Sequence, residues 1–224
     1  MEQYKPLIEK TIKTIINQFH RKPYNFFNEH EFHQYCYHVF YSKKEFSKQF
    51  TTSDGKKTNI LHPEYPTVKR FDRKKIEFFE KDVKKGVRAR YDMAILNPSF
   101  IQNNPINTII NRNINFSSGK ENDLIAAFEF KFITNHDKKF QHEIDYDFNK
   151  LSNAQEVNLK YMLVFANTIK NEVDYFAKIK DTKGINIVYV VVYEENNKKR
   201  RTFIFSSHSL FSGATISSLF YTND

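Results

Sequence analysis

Apolar residues recur every three or four positions near the start of the chain, which predicts two amphipathic helices. The first covers residues 6–20 and ends at Lys22-Pro23, because proline does not continue a helix. The second begins at about Asn28, whose side chain suits a helix N-cap, and extends to about Phe46. The N-terminal part is therefore expected to be helical.

Strand-like segments follow these helices. Residues 51–58 are a polar turn or loop, and residues 59–71 read as a strand that Pro63 and Pro66 interrupt. Prolines in a strand favour an edge or bent position, because they cannot donate to the sheet ladder. A charged stretch comes next at 72–85, in which a short helix is one interpretation.

Two strongly apolar strands are predicted at 87–96 and 124–133, with an Asn-rich stretch at 97–123 between them. An unstructured connection of that length is unusual inside a compact domain and is often functional or mobile. The remaining predicted elements are a helix at about 137–158 and strands at 161–166, 185–194 and 202–206.

This order of helices and strands predicts an α/β fold in which helices flank a mixed sheet. The length of 224 residues suits one such domain with an additional segment. We expect an N-terminal helical segment at 1–27 and one main domain at 28–224, with 97–123 inserted into it. The two are expected to form a single compact unit.

Composition narrows the function classes. The net charge of +9 favours a polyanionic partner such as a nucleic acid. The only cysteine is Cys36, no apolar leader opens the chain, and no apolar run approaches the roughly 20 residues of a membrane helix. We therefore expect a cytoplasmic protein without a membrane partner. The common glycine-rich nucleotide-binding motifs are absent.

One acid-x-Lys tripeptide stands out from several others. Glu129-Phe130-Lys131 lies within the apolar strand 124–133, so strand periodicity places Glu129 and Lys131 on one face and phenylalanines on the other. Opposite charges on a core strand need partners, because an unpaired buried charge is costly. The other matches lie in polar surroundings typical of solvated surface: Asp54-Gly-Lys56, Asp72-Arg-Lys74, Asp82-Val-Lys84, Asp137-Lys-Lys139 and Asp181-Thr-Lys183.

Asp92, in the preceding strand, adds a second acid beside an apolar run. Two carboxylates and a lysine from neighbouring strands would suit a hard cation such as Mg²⁺ with a substrate phosphate. Lys131 would then orient or activate a water molecule. The alternatives are a simple Glu129–Lys131 pair at a strand end and an Asp92 paired with Arg88 or Arg90.

Asp92 followed by Glu129-x-Lys131 on the next strand resembles the PD-(D/E)xK superfamily of nucleases. Tyr91 stands where the motif has proline, and the 93–128 spacing is longer than usual, which implies an insertion at 97–123. The resemblance implies a restriction-endonuclease-like mixed sheet and a Mg²⁺-dependent endonuclease acting on DNA. Mn²⁺ remains the alternative ion and RNA the alternative substrate, and a homodimer is left open.

Further residues extend this resemblance. Many members carry a glutamate on the helix before the sheet, and Glu29 projects within about 60° of the mean apolar direction of its helix, whereas Glu31 lies more than about 90° away. We therefore expect Glu29 to assist catalysis, the alternative being an ordinary first-turn acid. Glu64 is a weaker candidate to approach the site.

Three basic residues are predicted to bind nucleic acid: Arg88, Arg90 and Lys150. Lys150 lies in Asp147-Phe-Asn-Lys150-Leu151, which resembles the helix after the acid-x-Lys strand in the superfamily. Its alternative is a solvated helix face. Two other functions stay open for the whole chain: a catalytically silent nucleic-acid-binding protein of the same fold, and a globular protein-interaction domain.

Overall fold

The N-terminal helices form where the apolar spacing predicts them. In the computed structural model, α1 spans Tyr4–Arg21, α2 spans Glu29–Tyr41, and a short α3 spans Lys44–Ser47. The second helix ends before its predicted limit, because the backbone becomes extended at Lys43. The structure describes residues 3–72, 77–79, 87–111, 123–133, 139–167, 183–195, 199–207 and 221–222.

Helix α2 begins at a paired cap that also orients its first turn. Asn28 Oδ1 accepts a hydrogen bond from the Glu31 backbone N–H at 2.9 Å. The Glu31 carboxylate in turn accepts one from the Phe27 N–H at 2.8 Å. Such reciprocal bonds satisfy donors that a helix N-terminus leaves free. Glu31 is therefore used in capping.

Across the described residues, one mixed sheet has eight strands, five of them at least ten residues long. Its spatial order is β10-β9-β8-β7-β6-β5-β3-β4; β6, β7 and β8 are parallel and the other neighbours antiparallel. The strands are β3 Leu61–Asp72, β4 Glu77–Phe79, β5 Val87–Leu96, β6 Leu124–Ile133, β7 Val157–Ala166, β8 Ile185–Glu195, β9 Lys199–Ser206 and β10 Tyr221–Thr222.

Two segments differ from the loops or helix expected of them. The polar stretch 51–58 belongs to a small hairpin of β1, Gln49–Thr51, and β2, Lys57–Asn59. Within 72–85, residues 77–79 form strand β4, so the short helix is wrong there. These segments form strands because their backbone groups pair with a neighbouring strand, a contact that local composition does not reveal.

The 97–123 insertion is partly helical. It contains α4, Pro98–Asn103, and α5, Ile106–Asn111, and it buries Phe100, Ile101 and Ile109. The stretches 112–122, 196–198 and 208–220 lie outside the described residues. Because α4 and α5 pack into the core, the insertion leaves β5 and β6 free to pair directly.

The sheet is covered on both faces. Phe128 and Phe130 of β6 contact Phe40 and Phe32 of α2, with ring centroids 5.0 and 6.3 Å apart. Helix α6, Lys139–Ser152, packs against β6, β7 and β8, and ends before its predicted limit at 158. The fold is therefore mixed α/β with a helix-flanked sheet. None of the described helices is long and apolar enough to cross a membrane.

Candidate active site

Pairing of β5 with β6 brings the two predicted metal-binding acids together. Met93 and Phe128 are the last pair of this antiparallel ladder, and Asp92 and Glu129 are the next residues on their strands. Because side chains alternate along a strand, both acids lie on the face opposite to Met93 and Phe128, and Asp92 is close enough to raise the pKa of Glu129. Asp92 Oδ2 also accepts a hydrogen bond from the Phe130 N–H at 2.7 Å. The Asp92 carboxylate therefore accepts a hydrogen bond from a backbone N–H of β6 just beyond the last β5–β6 strand pair.

Glu129 and Lys131 lie on the face of β6 that is covered by α6. This is the arrangement that strand periodicity predicts, since Phe128 and Phe130 pack on the opposite face. Glu129 and Lys131 do not form the simple ion pair considered as an alternative. Each of the two residues forms its ion pairs with other side chains.

The Lys131 ammonium is held between two carboxylates. Its Nζ lies 2.9 Å from Asp147 Oδ2 and 3.2 Å from Glu29 Oε1. Burial alone would lower the pKa of Lys131, but Asp147 and Glu29 raise it well above its ordinary value. Lys131 is therefore a fixed cation at neutral pH. It can donate hydrogen bonds and stabilise negative charge, but it does not accept a proton.

Glu129 is fully buried, with 0% of its surface exposed. Lys150 Nζ lies 2.7 Å from its Oε2. Neither Glu129 oxygen has a hydrogen bond among the described residues, and Oε1 also lies outside the ion pair with Lys150. Burial raises the pKa of Glu129 well above its ordinary value, and the Lys150 ammonium opposes that rise. A buried carboxylate oxygen without a donor is costly, so Oε1 is a candidate ligand atom for a cation.

Asp147 connects the two lysines. Its Oδ1 lies 2.9 Å from Lys150 Nζ, and its Oδ2 contacts Lys131. Burial would raise the pKa of Asp147, but Lys150 and Lys131 lower it below its ordinary value. Both of its oxygens are engaged with ammonium groups. Asp147 therefore positions the lysines and is not available as a metal ligand in this arrangement.

The solvated helix face considered for Lys150 is wrong, since only 5% of this residue is exposed. Its ammonium donates a hydrogen bond to the Arg90 carbonyl at 2.8 Å and, with its two ion pairs, contacts three oxygens. The sequence gives one indication that charges are buried on α6. Asp147 lies three residues after Ile144 and four before Leu151, which places its carboxylate on the apolar side of the helix.

Helix α2 contributes Glu29, as its helical phase predicts, and also His33, which sequence reasoning did not select for this site. His33 Nε2 lies 3.1 Å from the Phe130 carbonyl oxygen, a contact that requires Nε2 to carry the hydrogen. The same nitrogen lies 3.7 Å from Asp92 Oδ2 and 3.7 Å from Glu29 Oε1. The available signal was its position four residues after Glu29, on the same helix face.

A pocket of about 590 Å³ opens above this cluster. Glu29, Asp92 and Lys131 line it, together with Glu64 and the exposed Arg90. Glu64 thus borders the site as proposed, on a backbone with a φ of 50°. The Arg88 side chain lies outside the described residues, so its predicted role, like that of Arg90, remains a prediction.

The available carboxylate oxygens suit one hard divalent cation that keeps water ligands, rather than an ion held by three or more protein side chains. No group of three or more His, Cys, Asp or Glu side chains that could hold a metal is present in the described parts of the chain. Lys131 and Lys150 neutralise carboxylates that would otherwise form one. Mg²⁺ needs only one or two protein carboxylates, with water and phosphate completing its shell. Glu129 Oε1 and Asp92 fit that requirement.

Comparisons with protein-family models, with curated proteins and with solved structures find no match to this chain. The resemblance to PD-(D/E)xK nucleases therefore depends on Asp92, Glu129 and Lys131 and on the surroundings described above.

Proposed function

We propose that this protein is a metal-dependent nuclease that hydrolyses DNA phosphodiester bonds on a restriction-endonuclease-like fold. One observation carries the proposal. A fully buried Glu129 has an Oε1 without a hydrogen bond, lies within electrostatic reach of Asp92, and is two residues from a lysine fixed in its charged form. A structural ion pair would leave no such oxygen open, since unpaired buried acceptors cost about 1–3 kcal/mol.

Each residue then has a distinct role. Asp92 and Glu129 would hold Mg²⁺ or Mn²⁺, which supplies Lewis-acid polarisation of the phosphate and a lowered pKa of bound water. Lys131 uses two of its three donors on Asp147 and Glu29. Its third donor can orient the attacking water or stabilise the charge that develops on the phosphate.

Glu29 is the residue best placed to assist from the solvent side. Its side chain is 38% exposed, and it contacts Lys131. Asp147 also contacts Lys131, but its side chain is only 5% exposed, so Glu29 is the more solvent-accessible of the two carboxylates. The net charge of +9 supports a polyanionic substrate, because phosphate neutralisation favours binding to basic proteins.

Plasmid cleavage in Mg²⁺ or Mn²⁺ tests the proposal. Glu129→Ala and Lys131→Ala should each reduce metal-dependent cutting at least about a hundredfold, as loss of a transition-state contact does. Lys56→Ala is the matched control, because Lys56 ends another acid-x-Lys tripeptide but is 61% exposed. Cutting that survives both site substitutions would disprove the assignment.

One observation favours a second candidate, a catalytically silent nucleic-acid-binding protein of the same fold. The Lys150 ammonium already neutralises Glu129, as it would in a site that had lost its metal. Such a protein would bind DNA with an affinity that falls as salt increases, yet would not cut it in Mg²⁺ or Mn²⁺. A single series of binding and cleavage measurements separates the two functions.

A further inference from the structure

We propose that Lys150 is a built-in cation of this site, which restricts the site to one divalent ion. The inference rests on the proposed metal-dependent function and specifies how that site is charged. Its basis is the position of Lys150 Nζ among the oxygens of Glu129, Asp147 and the Arg90 backbone, at 2.7, 2.9 and 2.8 Å.

The ammonium occupies a position that a metal ion would otherwise take. It contacts three oxygens from β5, β6 and α6, so it bridges the elements that build the site. The ammonium donates a hydrogen bond to the Arg90 carbonyl and forms ion pairs with Glu129 and Asp147, and 95% of the side chain is shielded from solvent. Lys150 therefore cannot swing out to contact a substrate without breaking this hydrogen bond and both ion pairs.

The charge balance indicates how many ions remain to be bound. Four carboxylates, from Glu29, Asp92, Glu129 and Asp147, carry a formal charge of −4, and the ammonium groups of Lys131 and Lys150 carry +2. The exposed Glu64, Glu143 and Arg90 also line the pocket and bring the total to −3, which accommodates one divalent cation. A second ion would leave an excess of positive charge in a partly buried site, where such repulsion is screened poorly.

The carboxylate oxygens that remain for metal binding also indicate one divalent ion. Both Asp147 oxygens are engaged by the lysines, and Lys150 covers Glu129 Oε2. Among the described residues, neither Glu129 oxygen has a hydrogen bond, and Oε1 is the one that Lys150 leaves uncovered. It can complete the shell of one ion with Asp92, and no second buried carboxylate oxygen of Glu129 or Asp147 is left for another.

Mn²⁺ titration of the whole chain, by calorimetry and by paramagnetic resonance without DNA, tests the inference. Wild type should bind one Mn²⁺ per chain. Lys150→Ala removes the ammonium and leaves space for a hydrated ion, so it should bind Mn²⁺ at least about tenfold more tightly or take up a second ion. Lys57→Ala, a change at an exposed lysine, should behave as wild type.

The outcomes are separable. Two Mn²⁺ ions per wild-type chain would overturn the built-in cation while leaving a metal-dependent nuclease intact. Absence of Mn²⁺ binding to wild type would overturn the proposed function and this inference together. Should Lys150→Ala fail to fold without metal, wild-type stoichiometry still decides, and recovery of a cooperative melting transition on adding Mn²⁺ would support the inference.

Discussion

Replacing Lys150 with methionine should strongly destabilise the fold, because it leaves the fully buried Glu129 carboxylate without its cation. Methionine keeps most of the length and apolar character of the lysine stem, so the change isolates the ammonium group. Breaking a buried ion pair by removing one partner costs roughly 3–5 kcal/mol. We expect a value of about 4 kcal/mol at pH 8, since Glu129 has 0% exposure.

The loss should be repaired by removing the other charge. In the double variant Lys150→Met/Glu129→Leu, the Glu129 carboxylate is gone and Asp147 keeps its ion pair with Lys131, and apolar replacement of a buried pair is often neutral or stabilising. We expect the double variant to recover at least half of the lost free energy of unfolding. A result of this kind would attribute the cost to the stranded charge rather than to packing of the methionine.

The penalty should also depend on pH with a defined sign. Burial raises the pKa of Glu129 in the folded protein, and removing Lys150 removes the group that opposes this rise. The folded state of Lys150→Met then binds a proton that the unfolded chain has released. Its stability should therefore fall as pH increases from about 5 towards 8, more steeply than that of wild type.

Urea unfolding followed by circular dichroism, in EDTA at pH 5.5 and 8, measures all three effects. Lys57→Met provides the matched control, since an exposed lysine should change stability by no more than about 0.5 kcal/mol. The reasoning is refuted if Lys150→Met lies within about 1 kcal/mol of this control at pH 8, or if the double variant is no more stable than the single one.

Three other predictions follow from single residues. Asn28→Ala should cost about 1 kcal/mol in urea unfolding by removing the α2 cap, without changing cleavage by more than twofold; a loss of cleavage would place Asn28 in the site. Burial raises the pKa of the Cys36 thiol, so DTNB should react with it only after unfolding, and fast reaction of the native protein would contradict this. Burial lowers the pKa of His62, so stability should fall as pH drops below about 6.5, and His62→Gln should flatten that dependence between pH 7 and 5; an unchanged slope would contradict this assignment.

The central strands were predictable to the residue. Strands β5 and β6 have the bounds read from the sequence, because their apolar runs are buried on a sheet that helices cover on both sides. The choice of Glu29 over Glu31 was also accessible, since helical phase alone separates a side chain facing the sheet from one at the cap. Periodicity sufficed wherever one face of an element is buried.

Other features depended on partners distant in the chain. Helices α4 and α5 are only six residues each and rich in asparagine, so burial of residues such as Ile101 and Ile109, rather than propensity, accounts for them. Strand β4 forms through its ladder with β3. The partners of Lys150 on β5 and β6 could not be predicted from the sequence either, because the spacing along α6 shows that a charge is buried but not which groups neutralise it.

A buried ionic cluster needs an explanation other than stability. Desolvation of charged groups largely cancels their attraction, so apolar residues would hold β6 and α6 together at least as well as Glu129, Asp147 and two lysines. Structural pairing also gives no reason for a buried Glu129 Oε1 without a hydrogen bond, next to a pocket that Asp92 and Lys131 line. The proposed metal-dependent hydrolytic site would account for both: Glu129 would supply an oxygen for one cation, Asp147 would hold the lysines in place, and Lys131 would keep its charge where negative charge develops on a phosphate.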